Sequence, residues 1–219
     1  MVGPPVVLVH GLTASIDWWR PTVTALERTH DVHVVRLPGL RYSEAAQWLG
    51  EWLQRERLAG AAVVGHSMGG TVALALAADA PQLVGRLALI APAGIFATQA
   101  RRSYVLPLAR SVGLHPRRLA LAARDVLRVG PVRLWRVGND LLASDIASTL
   151  RSVRAPTLVL WGARDRLLPP TIGSLFTAEL PDSRLVVLDR CGHVPMLEAP
   201  DELNAELLRF LARDTEATE

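Results

Sequence analysis

Six short runs rich in Val, Leu and Ile recur along the chain, each closed by a glycine or another turn signal: PPVVLVHG, DVHVVRLPG, AAVVGHS, RLALIAPAG, PTLVLWGARD and RLVVLDRCGH. Their apolar character is continuous rather than alternating, the pattern of strands covered on both faces. Segments with helical spacing stand between most of them. DWWRPTVTALERT follows the first run, SEAAQWLGEWLQRE the second, MGGTVALALAADA the third, TIGSLFTAEL the fifth and DELNAELLRFLARD the last. Strand then helix, repeated, dictates a parallel sheet with helices on both sides. The expected fold is therefore α/β: a three-layer sandwich with a mainly parallel sheet of about six strands.

The alternation breaks once, between the fourth and fifth runs, where residues 97–153 supply far more chain than a single crossover needs. This stretch reads as several short helices broken at Gly113, Pro116, Gly130, Pro131 and Gly138. We expect residues 1–96 and 154–219 to form the core and residues 97–153 a helical lid over a site. Charge concentrates in the same stretch. The chain has no lysine, and between Arg101 and Arg154 stand 11 Arg against Asp125, Asp140 and Asp145, a net +8, while the remainder carries 13 Arg against 18 acids, a net −5. Solvated helix faces are the ordinary reading of such a run. A landing site for an acidic acyl carrier is the sharper one.

Composition removes other classes. Half of the residues are apolar, too many for a disordered chain. No apolar run approaches the ~18 residues of a membrane span, and the start MVGPPVVLVHGL lacks the basic region and cleavage site of a signal peptide. We therefore expect a cytoplasmic protein with no membrane span. Cys191 is the one cysteine, and no Cys/His cluster has metal-ligand spacing, so neither a metal nor another cofactor is expected. The arginines are not interleaved with stacking aromatics, which argues against nucleic acid.

Ligands of an open parallel sheet bind beyond the carboxyl ends of its strands, so residues just after each strand come first. Ser67 follows the third, in the G-x-S-x-G pattern GHSMG; Asp165 follows the fifth, in LWGARDRLLPP; His193 follows the sixth, in DRCGHVPMLEAP. G-x-S-x-G alone is a weak signal, because a serine before a helix is most often an N-cap. Here it stands where the motif requires it, between strand and helix, with Gly65 and Gly69 letting the backbone close tightly. A hydroxyl becomes a nucleophile when a base takes its proton, and the base needs a carboxylate to fix its tautomer. His193 and Asp165 complete the order Ser, acid, His; Asp165 lies 98 residues after Ser67 and 28 before His193. His10, His30, His33, His66 and His115 lack such support, as do Asp140 and Asp189 as substitutes for the acid. Backbone N–H groups of Met68 and Leu12 are the expected oxyanion donors. Trp18 and Trp19 could line a pocket or pack on the sheet, and Cys191 reads as a small apolar filler.

With these residues in place, the chain resembles the α/β-hydrolase fold family, in particular its lid-bearing serine esterase, lipase and perhydrolase-like members. The resemblance runs from VVLVHGLTAS through VVGHSMGGTVAL and PTLVLWGARDRLLP to CGHVPMLEAPDELN. It implies Ser67 as nucleophile, Asp165 as acid, His193 as base, and Leu12 and Met68 as oxyanion donors. Relatives with an aspartate nucleophile, such as haloalkane dehalogenases and epoxide hydrolases, would carry Asp at position 67. The sequence departs from the family twice. The sequence opens almost at the first HG, so we expect the two strands that usually precede it in the family to be absent, which would make DVHVVRLPG an exposed edge open to dimerisation. The turn after it reads RLPGLRYS where relatives show D-x-P-G-x-G-x-S, with Arg36 and Arg41 in place of Asp and Gly.

The leading expectation is a serine hydrolase acting through an acyl-enzyme on a small-molecule ester or thioester with a hydrophobic portion, as a monomer or dimer. A non-catalytic ligand-binding protein on the same fold and an acyltransferase or perhydrolase using the same acyl-enzyme are the alternatives.

Overall fold

The computed structural model describes residues 3–12, 15–38, 41–94, 116–130, 132, 136 and 146–212. The six runs form strands β1 (Pro5–Val9), β2 (Asp31–Val35), β3 (Ala61–His66), β4 (Val84–Ile90), β5 (Thr157–Gly162) and β6 (Ser183–Leu188). They make one sheet in the order β2-β1-β3-β4-β5-β6, and every neighbouring pair is parallel. As expected, β2 lies at an edge, paired to β1 from Pro5 against Asp31 to Val9 against Val35.

Strand side chains alternate between two apolar clusters. Val7 and Val9 of β1, Val63 of β3, Leu87 and Leu89 of β4 and Val159 and Trp161 of β5 enter one; Val6, Leu8, Val64, Ala88, Ile90, Leu158 and Leu160 enter the other. Both faces must then be roofed by helices. Helices α2 (Tyr42–Arg55), α3 (Met68–Asp79), α5 (Ala147–Ser152) and α6 (Thr171–Glu179) cover the first face through Leu49, Leu53, Val72, Leu150 and Phe176. Helices α1 (Arg20–Leu26), α7 (Pro195–Glu198) and α8 (Pro200–Leu211) cover the second through Leu26, Met196, Leu203, Leu207 and Phe210. Helix α3 is apolar all round and buried from Met68 to Ala77, which suits the helix that carries the elbow at the centre of the layer.

Much of the expected lid lies outside the described residues: 97–115, 131, 133–135 and 137–145. Its described part contains α4 (Pro116–Val129) and α5. Ile146, Leu150 and Val153 pack in the first core cluster. Helix α4 is tied to the short 3-10 turn Ile16–Trp19, just beyond β1. The indole N–H of Trp18 donates to Asp125 Oδ2 at 3.0 Å. Arg124 donates from Nε to Asp125 Oδ1 at 2.9 Å and from its terminal nitrogen to Asp17 Oδ2 at 2.9 Å. The Arg124 hydrogen bond holds the Asp17 carboxyl below its usual range. Trp18 and Trp19 are themselves buried in the second core cluster. The arginine run is thus partly used within the chain: Arg124 pairs with two aspartates and Arg151 with Glu179.

Among the described residues no helix is long and apolar enough to cross a membrane, and no group of three or more His, Cys, Asp or Glu is arranged to hold a metal ion.

Candidate active site

Strand β3 ends at His66 and α3 starts at Met68, leaving Ser67 alone to reverse the chain. It does so at φ 52° and ψ −120°, a left-handed conformation that costs a side-chain-bearing residue about 1–3 kcal/mol. Backbone hydrogen bonds hold it there. The Ser67 N–H donates to Ile90 O at 2.9 Å, and the Ser67 carbonyl accepts from the N–H groups of Gly70, Thr71 and Ala93 at 2.9, 3.2 and 3.2 Å. The turn also needs close backbone approach. A Cβ at Gly65 would lie 2.4 Å from Gly69 O, and one at Gly69 would lie 2.5 Å from the carbonyl oxygens of both Val9 and His10. The sequence supplies glycine at both places, and Ser67 itself is half-buried.

Asp165 sits in the turn after β5 and is 5% exposed. Its Oδ1 accepts the backbone N–H groups of Leu167 and Leu168 at 2.8 and 2.9 Å. Its Oδ2 faces His193 Nδ1 at 2.8 Å. His193, in the loop between β6 and α7, is 2% exposed. With the carboxylate accepting at Nδ1, the ring proton resides there and Nε2 is left to accept from the Ser67 hydroxyl, 3.1 Å away. The three residues expected from the sequence thus form one continuous row, Ser67 to His193 to Asp165, brought together from the ends of three strands.

Met68 opens α3, whose N-terminal backbone N–H groups and dipole end face this row. Leu12 follows β1. The turn that carries it lies against the elbow: a Cβ on Gly11 would come 3.2 Å from Ser67 Cβ and 3.1 Å from His66 Nδ1. Gly11, the residue before Leu12, and Met68 thus both adjoin the nucleophile. Cys191 is buried, donates weakly to Leu188 O at 3.7 Å, and has its thiol pushed up to about 12 by burial and by the nearby Glu198, Glu202 and Asp165. It is an inert neutral thiol in the packing behind the loop.

Three residues near the row carry no signal in the sequence motifs that assign them a role. His66, in the unspecified position of G-x-S-x-G, donates from Nε2 to the carbonyl of His193 at 2.8 Å. It is 3% exposed, its Nδ1 is buried with no hydrogen-bond partner among the described residues, and its ring packs at 5.0 Å from that of His193. Burial first, then the adjacent His193 ring, lowers its pKa to about 3. Glu198 of α7 accepts the N–H groups of Gly192 and Val194 on its two oxygens, at 2.8 and 3.1 Å. His10 donates from Nδ1 to Gly11 O at 2.7 Å and accepts the Leu37 N–H at Nε2, 3.3 Å away, joining the turn after β1 to the segment after β2.

A groove of about 550 Å³ lined by Ala78, Pro81, Arg151, Val153, Arg154 and Pro181 lies at the amino ends of the strands. It is on the opposite edge of the sheet from the row and takes no part in it.

A sequence profile of the alpha/beta hydrolase family matches residues 6–206. Among curated proteins, the chain is 32% identical over 244 residues to the dihydrolipoyllysine-residue acetyltransferase component of an acetoin cleaving system from Pseudomonas putida, aligning 96% of this chain with 64% of that protein. It is 30% identical over 233 residues to a pimeloyl-[acyl-carrier protein] methyl ester esterase from Nitrosomonas europaea, aligning 91% of this chain with 92% of that protein. Among solved structures it resembles a bacterial membrane phospholipase A, with a TM-score of 0.84 at 26% identity, over 98% of this chain and 80% of that one.

Proposed function

The chain belongs to the alpha/beta hydrolase family, and on that premise we propose that it is a serine hydrolase cleaving a carboxylic ester or thioester with a hydrophobic portion. One observation carries this reading: the uninterrupted row from the Ser67 hydroxyl through His193 to the buried, doubly hydrogen-bonded Asp165. Ser67 Oγ attacks the substrate carbonyl carbon while His193 Nε2 takes the hydroxyl proton. The carbonyl π electrons move to oxygen, and the N–H groups of Leu12 and Met68 receive that oxyanion. As the carbonyl re-forms, the bond to the alkoxide or thiolate breaks, and the imidazolium returns its proton to the departing group. The acyl group is left on Ser67. Water then repeats the sequence: His193 takes a proton from it, the hydroxide oxygen bonds to the acyl carbon, and Ser67 leaves with the proton from His193, freeing the carboxylic acid. Asp165 stays ionised throughout and stabilises the imidazolium.

A carrier-borne ester is the narrower substrate reading. It is supported by the Nitrosomonas europaea relative, a pimeloyl-[acyl-carrier protein] methyl ester esterase, and by the arginine excess of residues 101–154. On this reading, hydrolysis of a carrier-bound ester weakens steeply with salt while hydrolysis of the free ester does not; equal salt sensitivity would count against it.

The test of the main reading is steady-state hydrolysis of p-nitrophenyl esters from acetate to decanoate, with Ser67→Ala alongside. Loss of the nucleophile should lower turnover by on the order of 10⁶, and the chain-length optimum sizes the acyl pocket. A folded wild type inert toward the whole series would overturn the simple esterase reading and leave a carrier-bound ester or the ligand-binding role as the next candidates.

A further inference from the structure

We propose that His66 and Glu198 act together as positioning residues that clamp the backbone of His193 from two sides and so set its reach to Ser67; this rests on the acyl-enzyme reading above. The loop between β6 and α7 is tied to the turn after β5 by the Arg164 N–H on the Cys191 carbonyl at 3.0 Å, and the backbone groups at and beside His193 need partners of their own. Side chains supply them around His193. Glu198 takes the N–H before and the N–H after that residue, at Gly192 and Val194. His66 donates to the carbonyl of His193 itself.

The origin of the His66 bond matters more than its strength. His66 is the residue next to the nucleophile, on the last position of β3, and its partner lies 127 residues away in sequence. One hydrogen bond therefore joins the elbow directly to the loop that must meet it. The 3.1 Å separation of His193 Nε2 from Ser67 Oγ is set through this link, on the scale where displacements of about 1 Å cost on the order of 10²-fold in rate.

The ring is also suited to this place by its charge. Its Nε2 proton is committed to the carbonyl, its Nδ1 is buried without a partner among the described residues, and burial keeps it neutral through the neutral pH range. The His193 ring, 5.0 Å away, becomes cationic during each proton transfer. A charged neighbour would oppose that step, whereas a neutral donor does not. Glu198 uses both of its oxygens, and an amide in its place would turn an NH₂ toward one of the two N–H groups.

The test compares wild type with His66→Gln, His66→Met, Glu198→Gln and Ser67→Ala. It reads kcat and KM for a p-nitrophenyl ester, the rate of Ser67 phosphonylation by an organophosphonate, and the melting temperature. Gln extends about as far as the imidazole Nε2 and restores a donor; Met fills the space without one. The expected result for His66→Met is a fall in kcat on the order of 10²-fold, with KM changed by less than about twofold. Phosphonylation should slow by the same factor, and His66→Gln should recover most of both. Glu198→Gln should lose a similar factor by the same pattern, and the protein carrying both His66→Met and Glu198→Gln should lose less than the product of the two, as expected of residues acting through one loop. A His66→Met enzyme that melts earlier but keeps its kcat and phosphonylation rate would reduce His66 to packing and overturn the proposal, as would a folded His66→Gln no better than His66→Met. Should His66→Met not fold, Glu198→Gln decides by the same readouts. Ser67→Ala separates the two levels: its inactivity upholds the acyl-enzyme reading whatever the His66 variants do, and its activity would overturn both.

Discussion

Asp165 meets His193 at 2.8 Å with one oxygen while its other oxygen is held by two backbone N–H groups, from Leu167 and Leu168. Because both residues are buried, the hydrogen bond at Nδ1 decides which imidazole nitrogen can accept from Ser67. Asp165→Asn keeps the acceptor for Leu167 and Leu168 but turns an NH₂ toward Nδ1, forcing the ring proton onto Nε2. The fold should survive, and kcat for a p-nitrophenyl ester should fall on the order of 10⁴-fold. A loss below about tenfold would mean that the carboxylate does not set the tautomer.

The elbow should tolerate no added methyl at Gly65. The new Cβ would lie 2.4 Å from the backbone oxygen of Gly69, and neither strand nor helix can retreat without unpacking α3. Gly65→Ala is expected to destabilise by about 1–3 kcal/mol or more and to lower kcat as Ser67 shifts. Gly60→Ala is the comparison, since there a Cβ meets nothing within 4 Å and only its positive φ of 80° opposes the change. Urea denaturation of the two variants checks the order.

His66 also makes a prediction about acid stability. Its pKa is lowered from the ordinary 6.5 to about 3 by burial and by the His193 ring, so between those values the unfolded chain binds a proton that the folded chain does not. Stability from this residue is therefore fully present above 6.5 and is lost as pH falls toward 3, at up to roughly 1.4 kcal/mol per pH unit. His66→Gln, which carries no titrating ring, should show a shallower decline of unfolding free energy between pH 6 and 4. Parallel declines for the two proteins would contradict the burial of a neutral ring at this position.

The tie between α4 and the turn after β1 predicts a local effect. Asp125→Ala leaves the buried indole N–H of Trp18 without its acceptor and releases one of the two aspartates held by Arg124. An unsatisfied buried donor costs about 1–3 kcal/mol. Cleavage by trypsin within residues 116–130 should accelerate while the urea midpoint of the core moves little. Unchanged cleavage would show that α4 is held by other contacts.

The parallel sheet and the row of Ser67, His193 and Asp165 were readable because each depends on a short-range pattern: an apolar run, a turn, and one polar residue immediately after it. His66, Glu198 and Asp125 were not. The partner of His66 is a backbone carbonyl 127 residues distant, and a backbone acceptor leaves no mark on side-chain types. Glu198 reads as an ordinary acid near a helix start, although its spacing from His193 places it one turn past the loop that it ties. The arginine-rich segment shows the limit of counting charges. Arg124 is occupied by Asp17 and Asp125, and no charge tally reveals which arginines face solvent and which are spent on the chain itself. The RLPGLRYS departure has a partial structural answer: the Arg41 backbone N–H donates to Glu44 at the start of α2, a capping bond that does not depend on the residue type at position 41.

The most direct measurement is to catch the acyl group. Wild-type protein mixed with p-nitrophenyl butyrate, acid-quenched within the first turnover and digested, should yield a butyryl group on the peptide containing Ser67, with p-nitrophenol released in matching amount. Ser67→Ala should give neither adduct nor turnover. Hydrolysis with no adduct at Ser67, or undiminished in Ser67→Ala, would contradict the account.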